Sequence, residues 1–138
     1  MKRILVMGLP GSGKTTFARE LQKQLEKKEY TVAWFNADEI RKKFDDWDFS
    51  EEGRLRQSER MRTLADAYDT DYVICDFVAP LVKQREIFDP KYIIWMDSID
   101  KGRYEDTNQV FVKPKNFDLR VDEFDAEYWA KFFVEVVL

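Results

Sequence analysis

The chain has 138 residues, of which 44% are hydrophobic and 36% are charged, and its formal net charge is −4. These values predict one folded domain over residues 1–138, exclude a disordered tail, and argue against a protein that coats nucleic acid. Because the chain contains no histidine, Ser-His-Asp and Cys-His hydrolases and nearly all zinc enzymes are excluded as well.

The cysteine content and the N-terminal segment predict the cellular compartment. Cys75 is the only cysteine and cannot form an intrachain disulfide, which is typical of a reducing cytoplasm. The apolar run Ile4–Met7 ends at Gly8 and is too short for the core of a signal peptide. No apolar run reaches membrane-spanning length. The sequence therefore predicts a cytoplasmic protein without membrane contact.

Five short apolar runs alternate with segments of helical or polar character. They predict strands at Met1–Met7, Thr31–Phe35, Tyr72–Cys75, Tyr92–Met96 and, as a short fifth, Phe117–Val121. Strands that alternate with helices are typical of a parallel sheet covered on both faces. The predicted fold class is therefore α/β, with three α/β/α layers around a five-stranded parallel sheet.

Helical periodicity occupies most of the segments between the strands. It covers about Lys14–Lys28, Asp38–Phe44, a stretch that starts at Ser50, and about Asp125–Val137. In contrast, Ser98–Lys115 has few apolar residues and no clear period, which predicts a loop. Loops of that length are often functional.

One motif with a specific chemistry follows the first strand. The segment Gly8–Thr15 matches G-x-x-x-x-G-K-[ST] and lies between a strand and a helix, as a phosphate-binding loop must. Its glycines let backbone N–H groups turn toward phosphate oxygens at the positive end of the helix. Lys14 can reach the β- and γ-phosphates, and the Thr15 hydroxyl can ligate Mg²⁺. The motif predicts a P-loop NTPase fold that binds ATP through Gly8, Pro10, Gly11, Ser12, Gly13, Lys14, Thr15 and Thr16.

The rest of the chain narrows the class of P-loop protein. The N-K-x-D motif with which GTPases read their base is absent, and motor or AAA-type ATPases need a longer chain. A small-metabolite kinase fits best. Asp76 ends the third predicted strand and is predicted to orient the Mg²⁺ shell, with capping of the next turn as the alternative.

A kinase must also position an acceptor hydroxyl and take its proton. Asp38 follows the second predicted strand, and Arg41 lies one helical turn later. Asp38 is predicted to be the base, and Arg41 is predicted to hold an anionic part of the acceptor. The alternative is that Asp38 caps the helix and Arg41 is a solvated charge.

Several segments together resemble the adenylylsulfate (APS) kinase family. The family motifs G-L-S-G-[AS]-G-K-[ST]-T, D-G-D-N-[IV]-R and G-F-S-x-x-x-R are similar to Gly8–Thr16, Asn36–Arg41 and Phe49–Arg54. The motifs S-F-I-S-P and K-G-L-Y resemble Asp76–Pro80 and Lys101–Tyr104. This resemblance implies transfer of the ATP γ-phosphate to the ribose 3′-hydroxyl of APS, which gives PAPS.

The resemblance also implies roles for charged side chains. Asp38 would be the acceptor base, and Arg41, Arg54 and Arg60 would hold the phosphosulfate. Lys101 would help a lid to close over the phosphates. The alternative for the arginines that follow Ser50 is a solvated helix face paired with nearby acids.

Aromatic side chains have implied roles too. Phe49 would stack on the acceptor adenine, with Phe111 as a second aromatic surface, and Phe77 would line the acceptor site. The alternative for Phe49 and Phe77 is a place in the core. The chain departs from the family where Asn36 replaces an acid and where Ala79 replaces a serine that many members phosphorylate, so that serine chemistry is excluded.

Two other functions fit the same motifs. Polynucleotide 5′-hydroxyl kinases carry G-x-P-G-S-G-K-S and N-x-D-[DE]-x-R, which Gly8–Thr15 and Asn36–Arg41 match at least as well. A protein of this fold that binds ATP without turnover is the other alternative, because the lid segment is short. Exposed aromatic residues such as Trp47 and Trp129 would suit a homodimer interface.

Overall fold

The strand that precedes the phosphate loop lies at the centre of one parallel sheet. The computed structural model describes residues 1–138. The strands are β1 (Lys2–Met7), β2 (Val32–Asn36), β3 (Tyr72–Asp76), β4 (Tyr92–Met96) and β5 (Leu119–Val121). Their order across the sheet is β2-β3-β1-β4-β5, and every pairing is parallel. The carboxyl ends of β1, β2 and β3 therefore meet at one edge of the sheet.

Six helices connect and flank these strands. They are α1 (Lys14–Lys27), α2 (Ala37–Phe44), α3 (Glu51–Asp66), α4 (Val82–Phe88), α5 (Glu105–Val110) and α6 (Ala126–Phe132), and α6 continues as a π-helical turn over Phe133–Val137. The predicted α/β class with a five-stranded parallel sheet is confirmed. No helix combines the length and the apolar character that crossing a membrane requires.

Side-chain alternation along β1 builds a hydrophobic core on each face of the sheet. Ile4 and Val6 belong to the cluster under α1 and α6, whereas Leu5 and Met7 belong to the cluster under α2, α3 and α4. All four side chains are fully buried. A strand covered on both faces must be apolar at every position, which explains why β1 is a continuous apolar run.

Helices α4 and α5 were not foreseen from periodicity because they are only 7 and 6 residues long. Gln84 of α4 accepts a hydrogen bond from the Leu81 N–H at 3.2 Å and donates to the Arg54 carbonyl at 3.1 Å. Helix α5 interrupts Ser98–Lys115, so the prediction of a continuous loop there is wrong. The Asn108 side chain in α5 bonds both the N–H and the carbonyl of Gly102, at 2.8 and 2.9 Å.

Candidate functional site

A cavity of about 650 Å³ opens at the carboxyl ends of β1, β2 and β3. Ligands of open α/β sheets bind at such an edge. Twelve of the predicted site residues line this cavity, namely Pro10, Gly11, Gly13, Lys14, Thr15, Thr16, Asp38, Arg41, Phe49, Arg54, Asp76 and Phe77. The fold thus brings the phosphate loop and the predicted acceptor residues into one space.

The phosphate loop has the backbone geometry that its glycines predict. Gly11 and Gly13 have φ angles of 88° and 97°, which side chains other than hydrogen rarely allow. Ser12 and Gly8 do not line the cavity. Ser12 is buried, and its backbone carbonyl accepts a hydrogen bond from the Ser98 hydroxyl at 2.8 Å. Position 8 requires a glycine for a packing reason, because a Cβ there would lie 2.5 Å from the Met96 carbonyl oxygen.

Lys14 sits at the start of α1 and points back along the loop. Its Nζ donates to the Leu9 carbonyl at 3.1 Å. Burial lowers the Lys14 pKa to about 8, although the carboxylates of Asp76 and Asp38 act in the opposite direction. The ammonium is therefore mainly protonated at neutral pH and available to phosphate oxygens.

Asp76 forms the centre of a small polar network at the ends of β2 and β3. Its carboxylate accepts a hydrogen bond from Trp34 Nε1 at 2.6 Å and another from Asn36 Nδ2 at 2.9 Å. Asn36 Nδ2 also lies 3.1 Å from Thr15 Oγ1. Burial raises the Asp76 pKa to about 6, against the lowering effect of these donors. The carboxylate is thus held by side chains of β2 and accepts no hydrogen bond from the following turn, so the alternative of a turn cap is wrong, and the role toward Mg²⁺ stays a prediction.

The donor set at this corner suits Mg²⁺. Magnesium usually keeps several waters and takes one or two protein carboxylates together with substrate phosphates. Thr15 supplies a hydroxyl and Asp76 a carboxylate beside the phosphate loop. The protein contains no group of three or more His, Cys, Asp or Glu side chains that could hold a metal ion. These residues therefore fit a metal that arrives with a nucleotide.

Asp38 lies in the first turn of α2 and is exposed toward the cavity. The N-cap of this helix is Asn36, whose Oδ1 accepts a hydrogen bond from the Glu39 N–H at 3.1 Å. Because Asn36 makes the cap, the alternative that Asp38 is the capping residue is wrong. The Asp38 carboxylate is left to face the space beside the phosphate loop.

Arg41 and Arg54 are buried arginines that line the cavity, so the alternative of solvated charges is wrong for both. Arg41 donates to the carbonyls of Asp46 and Asp48 at 2.9 and 3.2 Å. The ring of Phe49 lies 4.3 Å from the Arg41 guanidinium and 5.6 Å from that of Arg54. Burial lowers the pKa of both arginines. Phe49 is 44% exposed, so it is not a core residue.

Helix α5 and the residues before it form the other wall of the cavity. Arg54 Nη2 lies 3.8 Å from the Asp106 carboxylate, which ties α3 to this wall. Arg103 also lines the cavity. Lys101 does not line it, and its Nζ instead lies 3.4 Å from the Glu105 carboxylate on the surface. The predicted lid role of Lys101 stays a prediction.

Other predicted residues have different surroundings. Arg60 pairs with Asp46 at 2.8 Å and does not line the cavity. Phe111 lies outside it as well, 5.8 Å from the buried Arg85 guanidinium. Phe77 both lines the cavity and is 4% exposed, so its two interpretations are compatible. The structure therefore groups Phe77 with the cavity and separates Arg60 and Phe111 from it.

Sequence reasoning missed the contact between Trp34 and Asp76. A signal was available, because Trp34 and Asn36 are two residues apart on one strand and must point to the same face. The partner strand could not be aligned without the register, in which Trp34 lies opposite Ile74 and Asn36 opposite Asp76. From the sequence alone, Trp34 is therefore interpreted as a core residue. In the structure, its indole N–H donates a hydrogen bond to the Asp76 carboxylate.

Gly53 packs closely against Asp48 in the segment that precedes Phe49, and a substitution at Gly53 tests this packing. A Cβ at this helical position would lie 2.2 Å from the Asp48 carbonyl oxygen, which is an acceptor for Arg41. We expect Gly53→Ala to destabilise the protein by about 1–3 kcal/mol in urea unfolding, despite the better helix propensity of alanine. Glu59→Ala, on the exposed side of α3, is the matched control. An unchanged or increased stability of Gly53→Ala would contradict the close packing of Gly53 against Asp48.

Comparison with known proteins places the chain in a family. The family described as "Chromatin associated protein KTI12" matches residues 1–80. A protein of Aeropyrum pernix named "Probable adenylyl-sulfate kinase" is 37% identical over 87 residues, which are 61% of this chain and 48% of that protein. The adenylyl-sulfate kinase of Halothermothrix orenii is 35% identical over 82 residues, which are 57% of this chain and 44% of that protein. The matched part thus spans about half the length of these curated relatives.

A solved structure shares the fold of this chain. The Mycobacterium tuberculosis APS kinase CysC, solved in complex with AMPPNP and APS, superposes with a TM-score of 0.81. The two chains are 18% identical, and the match covers 97% of this chain and 95% of that one. The resemblance to the adenylyl-sulfate kinases is confirmed by the curated relatives and by this shared fold. The chain therefore belongs to the KTI12 family, and it shares its P-loop fold with the adenylyl-sulfate kinases.

Proposed function

We propose that the protein is a phosphotransferase that moves the γ-phosphate of Mg²⁺-ATP to a hydroxyl of a small anionic acceptor. The observation that carries this proposal is the shared cavity, in which Lys14, Asp38 and Arg41 face one space. A phosphate loop alone would fit any ATP-binding protein. A carboxylate and buried arginines beside it add what an acceptor hydroxyl and its anionic groups require.

Each group has a distinct task in this reaction. Lys14 and the backbone N–H groups at the start of α1 neutralise the charge that spreads over the transferring phosphoryl group. Asp38 orients the acceptor hydroxyl in line with the γ-phosphate and accepts its proton. Mg²⁺, when bound through Thr15 and Asp76, supplies further neutralisation of the phosphate oxygens. The bond to the leaving ADP oxygen breaks as the new bond to the acceptor oxygen forms.

We propose APS as the acceptor, phosphorylated at its ribose 3′-hydroxyl to give PAPS. Arg41 and Arg54 offer two guanidinium groups to a phosphosulfate, and the exposed Phe49 ring beside them offers a surface for the adenine. The volume of about 650 Å³ lies within the usual range for small-molecule sites. The names of the curated relatives support the same substrate.

The test is ADP release from Mg²⁺-ATP, with APS and a 5′-hydroxyl oligonucleotide offered in separate reactions. The proposal expects ADP with APS alone, and Lys14→Met measures background hydrolysis. Turnover only with the oligonucleotide would contradict APS but keep the roles of Lys14 and Asp38. ATP-dependent thermal stabilisation without ADP in either reaction would contradict both substrates and favour a non-catalytic ATP-binding protein.

A further inference from the structure

Trp34 makes a contact with the phosphate-binding corner that the proposed reaction does not yet use. The parallel register of β2 and β3 places Trp34 opposite Ile74 and Asn36 opposite Asp76. Residues two apart on a strand, and residues opposite each other on neighbouring strands, share one face of the sheet. Trp34, Asn36 and Asp76 therefore all point toward α1, whose first residues carry Lys14 and Thr15.

Each oxygen of the Asp76 carboxylate accepts one hydrogen bond, one from Trp34 and one from Asn36. Trp34 Nε1 donates to Oδ2 at 2.6 Å, and Asn36 Nδ2 donates to Oδ1 at 2.9 Å. One donor on each oxygen fixes the rotation of the carboxylate plane, and this matters because Asp76 is only 2% exposed. Few waters can reach the group to take over either bond. The orientation of the carboxylate is thus set by neighbouring protein atoms, and one of these donors, Asn36 Nδ2, also lies 3.1 Å from Thr15 Oγ1.

The indole itself is held in place from two sides. Its ring packs against the core cluster under α1, and the Arg19 guanidinium lies 5.8 Å from the ring centroid. A phenylalanine at position 34 could keep most of this packing but could not donate a hydrogen bond. The hydrogen bond and the packing can therefore be separated by one substitution.

We propose that Trp34 is a positioning residue, which acts through Asp76 to orient the site for the metal-bound nucleotide. The inference rests on the Mg²⁺-nucleotide binding of the proposed function, but not on the acceptor or on turnover. Outer donors that orient a metal-facing carboxylate affect metal affinity by about 10–100-fold when they are removed. A residue that only fills space would instead change stability, or would change nucleotide affinity equally with and without the metal.

The first test compares the affinity for ATP in Mg²⁺ with the affinity for ATP in EDTA, for the wild type and Trp34→Phe. We expect Trp34→Phe to weaken Mg²⁺-ATP binding at least about tenfold, with metal-free ATP binding changed less than about twofold. Trp129→Phe is the matched control, because it also removes one indole hydrogen bond, to the Glu123 carbonyl at 3.1 Å. Equal weakening in both conditions, or no change in either, would overturn the proposal.

A second variant tests whether Trp34 acts through Asp76. In the Asp76→Asn background, Trp34→Phe is expected to cause no further loss of Mg²⁺-dependent affinity. An additional loss of similar size would show an independent effect and overturn the proposal. Because nucleotide binding is the readout, a failure to phosphorylate APS would refute the acceptor and leave this inference standing.

A measurement on the wild type remains decisive if Trp34→Phe does not fold. In ATP-bound protein labelled with ¹⁵N, the indole N–H resonance of Trp34 is expected to move when Mg²⁺ replaces EDTA. The indoles of Trp95 and Trp129 serve as internal references because neither donates a hydrogen bond to a residue that lines the cavity, whereas Trp34 donates to Asp76. A Trp34 resonance that moves no more than these references would overturn the proposal.

Discussion

Replacement of Lys14 by methionine is expected to abolish turnover and the stabilisation by ATP, and yet to make the ligand-free protein more stable at pH 7. Burial lowers the Lys14 pKa from 10.5 to about 8, so the folded state carries an unfavourable charge at neutral pH. One pKa unit corresponds to about 1.4 kcal/mol. After allowance for the partial exposure of the side chain, we expect Lys14→Met to gain about 2 kcal/mol in the free energy of unfolding.

The pH dependence gives this prediction a definite sign. Between pH 8 and 10.5 the unfolded chain binds more protons at Lys14 than the folded protein does, so wild-type stability rises with pH in that interval. The advantage of Lys14→Met should therefore be full below pH 8 and should shrink toward pH 10.5. Urea unfolding at pH 7 and pH 10 measures it, with Lys23→Met, an exposed residue of α1, as control. A less stable Lys14→Met at pH 7 would contradict the proposed cost of the buried ammonium.

Replacement of Asp38 by asparagine is expected to lower kcat by about 10²–10⁴ with the acceptor that supports turnover. The amide keeps the shape of the side chain but cannot accept the hydroxyl proton. Because Asn36 rather than Asp38 caps α2, the helix should form normally. Affinity for Mg²⁺-ATP should stay within about twofold, since the phosphate loop is intact.

Glu39→Gln is the matched control for this substitution. Glu39 is the next residue of α2, is also exposed, and does not line the cavity. Single-turnover and steady-state kinetics on the two variants separate a loss of chemistry from a loss of binding. A kcat for Asp38→Asn equal to that of Glu39→Gln would show that another group takes the proton.

Short-range patterns predicted the parts of the site that depend on neighbouring residues. The phosphate loop follows from a contiguous motif, and the buried strand β1 follows from its continuous apolar run. The positions of Asp38 and Asp76 follow from strand ends, because the ends of parallel strands meet at one edge of a sheet.

Contacts between distant residues account for what the sequence did not reveal. The bond from Trp34 to Asp76 depends on the register of β2 and β3. The burial of Arg54 depends on α5, in a segment without periodicity, whose Thr107 hydroxyl lies 3.3 Å from Nη2. Neither contact leaves a local pattern, and an arginine on a polar helix face looks solvated until the opposing wall is known.

The central position of β1 bears on how the chain folds as it leaves the ribosome. Its register with β3 runs from Lys2 opposite Tyr72 to Val6 opposite Asp76, and its other edge pairs with β4, where Met7 lies opposite Trp95. Strand β1 precedes both of its partners in the chain, so its edge toward β3 stays unpaired until Asp76 has been synthesised, and its edge toward β4 stays unpaired until Met96 has been synthesised. Such non-local pairing slows folding and prolongs the exposure of an apolar edge. We expect a nascent chain that ends before β4 to depend on chaperones, although it already carries the whole phosphate loop.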